Sequence, residues 1–197
     1  MTLVHDGAGL RIFVAAGGAF QENSYRLECQ VTGAWVVVDP GAATPTLLDG
    51  GEGGSGTTSG PPEAAWLTHA HLDHVEGLPG LVDRFPGLPV ALHPEDRPLL
   101  ARAADQARAF GLPFHGTLPE PSVHLAHGET LHVGKVPLEV RFTPGHAPGH
   151  VILVAHDGGV ALVGDVIFQR SIGRTDLPGG DFQALLASIR SQVLTLP

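Results

Sequence analysis

The chain has 197 residues, 43% of them apolar and 16% charged, which is enough to bury the core of one domain. Lys plus Arg number 11 against 20 Asp plus Glu, a formal charge of −9, and this argues against a nucleic-acid binder, which needs a basic face for phosphate. A single cysteine, Cys29, excludes an internal disulfide and a thiolate-rich metal site. No run approaches a membrane span, and the opening "MTLVHDGAGLRIFVAAGG" lacks a basic segment followed by a sustained apolar one. A cytoplasmic protein without nucleic-acid or membrane partners is expected.

In chain order, "LRIFVAA", "NSYRLECQ" and "AWVVVDP" read as strands, the last two joined as a hairpin through "VTG". Residues 49 to 62, "DGGEGGSGTTSGPP", hold no apolar side chain and read as a flexible Gly/Ser-rich loop inside one domain covering residues 1 to 197. "AAWLTHAH" is a short strand that runs into a histidine cluster. "HVEGLPGLVDRF" reads as a short helix interrupted by Gly77 and Pro79, and "PVALHPED" as another strand. "RPLLARAADQARAF" predicts one helix, with Pro98 near its start and Gly111 just past its end. "VHLAHGETLHV" and "VPLEVRFTPGH" return to strands, and "VILVAHDGGVALVGDVI" is a hairpin turning at "DGG". In "DFQALLASIRSQVLTL", Phe182, Leu185, Leu186, Ile189 and Val193 fall on one helical face, with Asp181 as N-cap. Strand meanders with helices between them make a layered α/β fold.

The chemistry concentrates in "THAHLDH". His69 and His71 are two apart at the end of an extended segment, so they point the same way and can grip one cation. Asp73 and His74 come after the chain begins to turn and face a neighbouring point, as a two-metal site requires. A lone histidine would be an ordinary core or surface residue, but this density of ionisable groups is costly without a partner. Imidazoles with one or two carboxylates suit zinc or iron better than magnesium. His146, in "RFTPGHAPGHV", and Asp165, in "ALVGDVIF", each follow a strand and are the further ligands expected. His150 lies close to His146 and is expected to pack or hydrogen-bond beside the site. His5, His93, His115, His124, His127, His132 and His156 have no partners in sequence.

"THAHLDH", "TPGHAPGH" and "VGD" in this order resemble the metallo-β-lactamase superfamily. The strings "GGAFQENSY", "VVDPG", "FQRSIGRTDLPGGD" and "LLASIR", spread over nearly the whole chain, are similar to its single-domain, glyoxalase II-like (hydroxyacylglutathione hydrolase-like) members. The resemblance implies an αββα sandwich with metals at one edge between two sheets. It implies that His69, His71 and His146 hold a first metal, Asp73 and His74 a second, and that Asp165 bridges them. Asp39 would orient the metal loop from outside the ligand set. One or two zinc ions are implied, with iron or mixed zinc, iron and manganese as alternatives. The implied reaction is hydrolysis of a small-molecule thioester of the acyl-glutathione type by a metal-bound hydroxide, which Asp73 would orient while accepting a proton. Arg174 would bind a substrate carboxylate or pair with Asp176.

The family pattern continues with one more strand, a helix and a "PGHG" histidine that completes the second metal, whereas this sequence stops at "SQVLTLP". An incomplete second site, or a truncated chain that binds metal without turnover, is therefore one alternative. Persulfide dioxygenases share "GRTD" and hold one iron on two histidines and a carboxylate, which here would be His69, His146 and Asp165. The acidic balance argues against a nuclease, and the pairing of Asp73 and His74 with a bridging Asp165 argues against a β-lactamase proper.

Overall fold

The computed structural model describes residues 1–49 and 60–197; most of the expected Gly/Ser-rich loop, residues 50–59, lies outside the described residues. Strands β1 (Thr2–Gly7), β2 (Leu10–Gly17), β3 (Glu22–Cys29) and β4 (Trp35–Val38) form an antiparallel meander. β1 was not among the expected strands: it is largely exposed, so it lacks the apolar alternation that marks a half-buried strand. β5 (Ala65–Trp66), β6 (Val90–Leu92) and β7 (Val123–His124) continue the same sheet, all parallel to β4. The second sheet runs in the order β11-β10-β9-β8, with β8 (Thr130–Val133), β9 (Val136–Phe142), β10 (Val151–Ala155) and β11 (Val160–Leu162) all antiparallel. A two-stranded ribbon, β12 (Ile167–Phe168) with β13 (Ser171–Ile172), follows it.

Side-chain alternation sorts these strands into layers. Val36 and Val38 of β4 and Val151 and Leu153 of β10 face each other in the core between the sheets, with Leu10, Leu27 and Leu138. Trp35 and Val37 point the other way, into a second core with Leu47, Leu78 and Leu81. That core packs the first sheet under α1 (Thr44–Leu48), α2 (Leu72–Val75), α3 (Leu78–Arg84), α4 (Arg97–Leu100) and α5 (Ala103–Ala109). Ile152 and Val154 of β10 meet Leu185 and Val193 of the last helical segment. The order is helix, sheet, sheet, helix: the αββα sandwich expected. β4 and β10 are buried on both faces, and this is why "WVVV" and "VILVA" read as unbroken apolar runs.

Two helices depart from expectation. Residues 97–109 form α4 and α5 with a break between them, because the backbone at Arg102 (φ −104°, ψ 15°) leaves the helical region. The last segment is α6 (Phe182–Ser188) followed by a π turn, Ile189–Val193. Asp181 caps it as expected, accepting from the Gln183 and Ala184 amides. Phe182, placed on the buried face by periodicity, is 51% exposed at the first turn.

Candidate metal centre

The parallel register of β4, β5 and β6 pairs Val38 with Trp66 and Trp66 with Ala91. The C-terminal ends of these strands therefore reach one edge of the sandwich together, delivering Asp39, residues 67–74 and Asp96. The second sheet contributes from the same edge through the loop between β9 and β10, with His146, and the segment after β11, with Asp165. The sheets are stitched there by the Val151 amide, which donates to the Thr68 carbonyl at 2.8 Å, and the loop carrying His146 is closed by the Thr143 amide donating to the His150 carbonyl at 2.8 Å.

Of the expected site residues, His69, His71 and His146 bring ring nitrogens within 4.8 Å of one another, and His69, His74 and Asp165 form a second such group. Asp165 lies between the two groups, 3.4 Å from His74 Nε2 and 3.4 Å from His146 Nε2. Asp73 is less closely placed, its carboxylate 3.9 Å from His74 Nε2, and it belongs to neither group.

The hydrogen bonds around the rings fix their tautomers. Asp39 accepts from the Thr68 amide and from Thr68 Oγ1, both at 2.7 Å. A hydroxyl has one proton, so Thr68 Oγ1 accepts from His69 Nδ1 at 3.1 Å, and His69 Nε2 keeps its lone pair. His146 Nδ1 donates to the Arg174 carbonyl at 2.8 Å, which leaves Nε2 with a lone pair 2.8 Å from His71 Nδ1. His69 Nε2 and His71 Nε2 are buried without a hydrogen-bond partner among the described residues, a costly condition for polar atoms. Burial also holds His69, His71 and His146 below the usual histidine pKa, His69 well below it and His71 at about 3. Three neutral rings with nitrogens within 4.8 Å of one another and a carboxylate beside them are a donor set that fits a divalent cation, which would take the place of the contact between His71 and His146.

His74 behaves differently. Burial disfavours its charge, but Asp39, 3.1 Å from Nδ1, and Asp165 outweigh burial and hold its pKa well above the ordinary value. Asp165 is partly buried, which works to raise its pKa, but the hydrogen bond and charge of His74 outweigh that and carry it below the carboxylate range. Asp39 adopts a left-handed backbone (φ 49°), a conformation Asp tolerates better than most residues.

His150 does hydrogen-bond beside the cluster. Its Nε2 accepts from the Asp165 amide at 3.1 Å, Nδ1 donates to Thr143 Oγ1 at 3.0 Å, and the ring stacks on His69 with centroids 4.8 Å apart. Both nitrogens are engaged, so it has no lone pair left for a metal. The Arg174 guanidinium is exposed and pairs with Asp176 through two 2.7 Å bonds; only its carbonyl reaches the cluster.

Sequence reasoning missed two supporting side chains. Asp96, fully buried, accepts from the Ala70 amide at 2.9 Å and the Gly149 amide at 2.5 Å, joining the loops that carry His69 and His146. Gln106 accepts from the Leu72 amide at 3.0 Å and donates to the Ala70 and Leu99 carbonyls. "HPED" was read as strand, yet Pro94 inside it signalled that the strand had ended and that Asp96 begins a turn.

A cleft of about 580 Å³ opens over the cluster, lined by Glu22, Tyr25, Asp73, His74, His146 and Asp165 among others, with Phe20, Phe110 and Phe168. Glu22 is buried, and burial pushes its carboxyl up to about 9 despite the opposing pull of His74, so it carries a proton at neutral pH. Among the described residues no helix is long and apolar enough to cross a membrane.

Residues 17–196 match the Metallo-beta-lactamase superfamily. The chain is 41% identical over 137 residues to "Probable metallo-hydrolase YqgX" of Bacillus subtilis, covering 69% of this chain and 64% of that protein. It is 40% identical over 132 residues to "Hydroxyacylglutathione hydrolase GloC" of Haemophilus influenzae, covering 66% of this chain and 61% of that protein. It thus spans less than two thirds of the length of either relative. Among solved structures, TTHA1623 in a di-iron-bound form superposes with a TM-score of 0.80 at 40% identity, over 94% of this chain and 87% of that one. The BLEG-1 B3 metallo-beta-lactamase gives 0.79 at 36% identity, over the same shares. With the αββα layers and the histidine-rich edge, these matches establish that the chain belongs to the metallo-beta-lactamase superfamily.

Proposed function

We propose that this chain is a metal-dependent hydrolase of thioesters, acyl-glutathione conjugates among them. The observation that carries it is the convergence of three neutral imidazoles, His69, His71 and His146, with Asp165 lying 3.4 Å from both His74 and His146 at the floor of the cleft. In this reading His69, His71 and His146 hold one cation, Asp73 and His74 a second, and Asp165 both; zinc suits the donors, and the di-iron form of TTHA1623 makes iron a credible occupant. A divalent cation held there supplies Lewis-acid chemistry, lowering the pKa of a water towards about 7 and polarising a carbonyl oxygen.

The chain's own residues do the rest. Asp73 lines the cleft and is placed to orient the attacking water and take its proton. The protonated Glu22 adds an O–H donor to the lining. Asp39, through Thr68, keeps His69 in one tautomer, and His150 fixes the backbone of Asp165. Water adds to the acyl carbon, the C–S bond breaks, and the water's proton ends on the departing sulfur. A thiol is acidic enough to leave with little help, so no further general acid is needed. The likeness to GloC supports thioesters over other carbonyl substrates.

The test is metal content per chain, by elemental analysis of protein purified without added metal, beside hydrolysis of S-lactoylglutathione followed by loss of thioester absorbance. About two equivalents of zinc or mixed metal with turnover is expected, and Asp165→Ala should lose both. One equivalent of iron with oxygen uptake on a persulfide would replace this reading by the dioxygenase. Hydrolysis of a β-lactam without thioester turnover would assign the chain to the chemistry of BLEG-1 instead.

A further inference from the structure

Beside the cleft lies a second hollow of about 370 Å³, bounded by Pro98 and Leu99 of α4, Ala109 of α5, and Pro148, Leu177 and Pro178 from the two loops opposite. It is not separate from the cleft: His71, Gln106, Phe110 and Leu177 line both. Its lining is mostly apolar. Phe110, at the junction, meets Phe20 edge to face with centroids 5.1 Å apart, and both rings are 43% exposed. Exposed aromatics gathered at the mouth of a catalytic cleft are apolar surface waiting for an apolar partner.

The arginines along this path have acidic neighbours. Arg102 lies 3.9 Å from Asp105, and Arg174 is held by both oxygens of Asp176. These two are the arginines lining either hollow, and neither hollow is lined by a lysine among the described residues. Glu95 and Asp105 also line the hollow and disfavour a carboxylate, whereas its walls suit a hydrocarbon chain.

We propose that this hollow is a substrate subsite that takes the apolar chain of a thioester whose carbonyl lies in the cleft beside His71 and His146. The inference rests on the thioester reading and adds the substrate class. The chain could sit on either side of the reacting carbonyl, on the acyl or on the thiol portion, and the shared chemistry is a flexible alkyl chain.

The experiment uses the metal-loaded protein and two substrate series. One carries acetyl, butyryl and octanoyl groups on one small hydrophilic thiol; the other carries acetyl on thiols of increasing alkyl length. Burying methylenes should raise kcat/KM by about threefold each, mainly through KM. The gain appears in the acyl series if the acyl chain enters, and in the thiol series if the thiol chain does. Ala109→Trp, which fills the hollow from an exposed helical position, and Pro178→Asp, which puts a charge on its rim, should abolish the gain while leaving acetyl turnover on the small thiol unchanged. A readout independent of turnover is calorimetric binding of 1-octanol to metal-free protein, expected with a negative heat-capacity change and lost in Ala109→Trp. Flat rates along both series with intact acetyl hydrolysis would overturn the subsite and leave the thioester reading standing. Octanol binding that is lost in Ala109→Trp, without hydrolysis of any thioester, would keep the apolar subsite and overturn the reaction assigned to it.

Discussion

Asp96 is the sharpest point at which to break the centre without touching an expected ligand. Its carboxylate has no solvent exposure, and among the described residues no salt bridge reaches it. Burial lifts its pKa to about 6, and the Gly149 and Ala70 amides that donate to it work against that rise. Those two bonds tie the backbone between His69 and His71 to the backbone between His146 and His150. Hydrogen bonds to a charged group contribute roughly 1.5–3 kcal/mol each, and an orphaned buried donor costs about 1–3 kcal/mol. Asp96→Ala strands two donors and should therefore lower stability by about 2–5 kcal/mol, the upper end requiring that no water replaces the carboxylate. Asp96→Asn keeps one acceptor oxygen but turns an NH2 towards the other amide, and about half of that loss is expected.

If Asp96 positions ligands as well as stabilising the fold, metal affinity should fall about 10–100-fold, the range typical of groups that orient metal ligands from behind. The assay is competition for zinc against a chromophoric chelator at pH 7.5, with chemical denaturation of the metal-free protein alongside. Gly149→Ala offers an independent approach, because a Cβ there would lie 2.6 Å from the Asp96 amide nitrogen and 2.9 Å from its Cγ. That variant should weaken metal binding with the carboxylate chemically intact. Unchanged zinc affinity in both variants, with stability reduced as calculated, would refute the positioning role and leave Asp96 a structural staple.

Other changes probe separate links. Glu22→Gln should stabilise the metal-free protein at pH 7 by about 3 kcal/mol: the folded carboxyl titrates near 9 and the unfolded one near 4.5, so wild-type stability falls as pH rises from the lower value towards the higher, and the neutral amide removes that slope. Melting the metal-free pair from pH 5 to pH 9 measures it, and parallel curves would contradict a protonated Glu22. His150→Phe should keep the stacking on His69 but free the Asp165 amide, costing about 1–3 kcal/mol and lowering bound metal below the wild-type equivalents. Asp181→Ala should cost about 1 kcal/mol by loss of the helix cap, with metal content unchanged.

The fold, and the gathering of His69, His71, His74, His146 and Asp165 at one edge, were legible for a physical reason. Strands such as "WVVV" and "VILVA" are dictated by burial on both faces, and the density of "THAHLDH" has few uses besides a cation. What escaped was set by tertiary contact. β1 is an exposed edge whose pairing with β2 supplies its order. The break between α4 and α5 falls where no Gly or Pro announces it, since Ala101 and Arg102 are good helix formers. Phe182 satisfied the helical period but stands at the first turn, where the exposed face of the cap wins. Asp96 and Gln106 lie 26 and 36 residues from the Ala70 backbone they hold, and nothing local in "HPED" or "ADQAR" names that partner.

The distribution of charge explains why this edge is built from loops that are tied to each other more than to their own strands. Asp39, Asp73, Asp165, Glu22 and Asp96 all sit within or behind the cluster, against three imidazoles held neutral. Without a cation, the chain meets that excess by raising the carboxyls of Glu22, Asp73 and Asp96 and by keeping a proton on His74 between Asp39 and Asp165. The first adjustment keeps acids uncharged and the second places a positive charge between two ionised ones, and a divalent cation would remove the need for most of this. The backbone amides of Thr68, Ala70, Gly149 and Asp165 are therefore assigned to partners that do not depend on the metal: Asp39, Asp96 and His150. Among the described residues, His69 Nε2 and His71 Nε2 are the ring nitrogens of the three neutral imidazoles left buried without a hydrogen-bond partner.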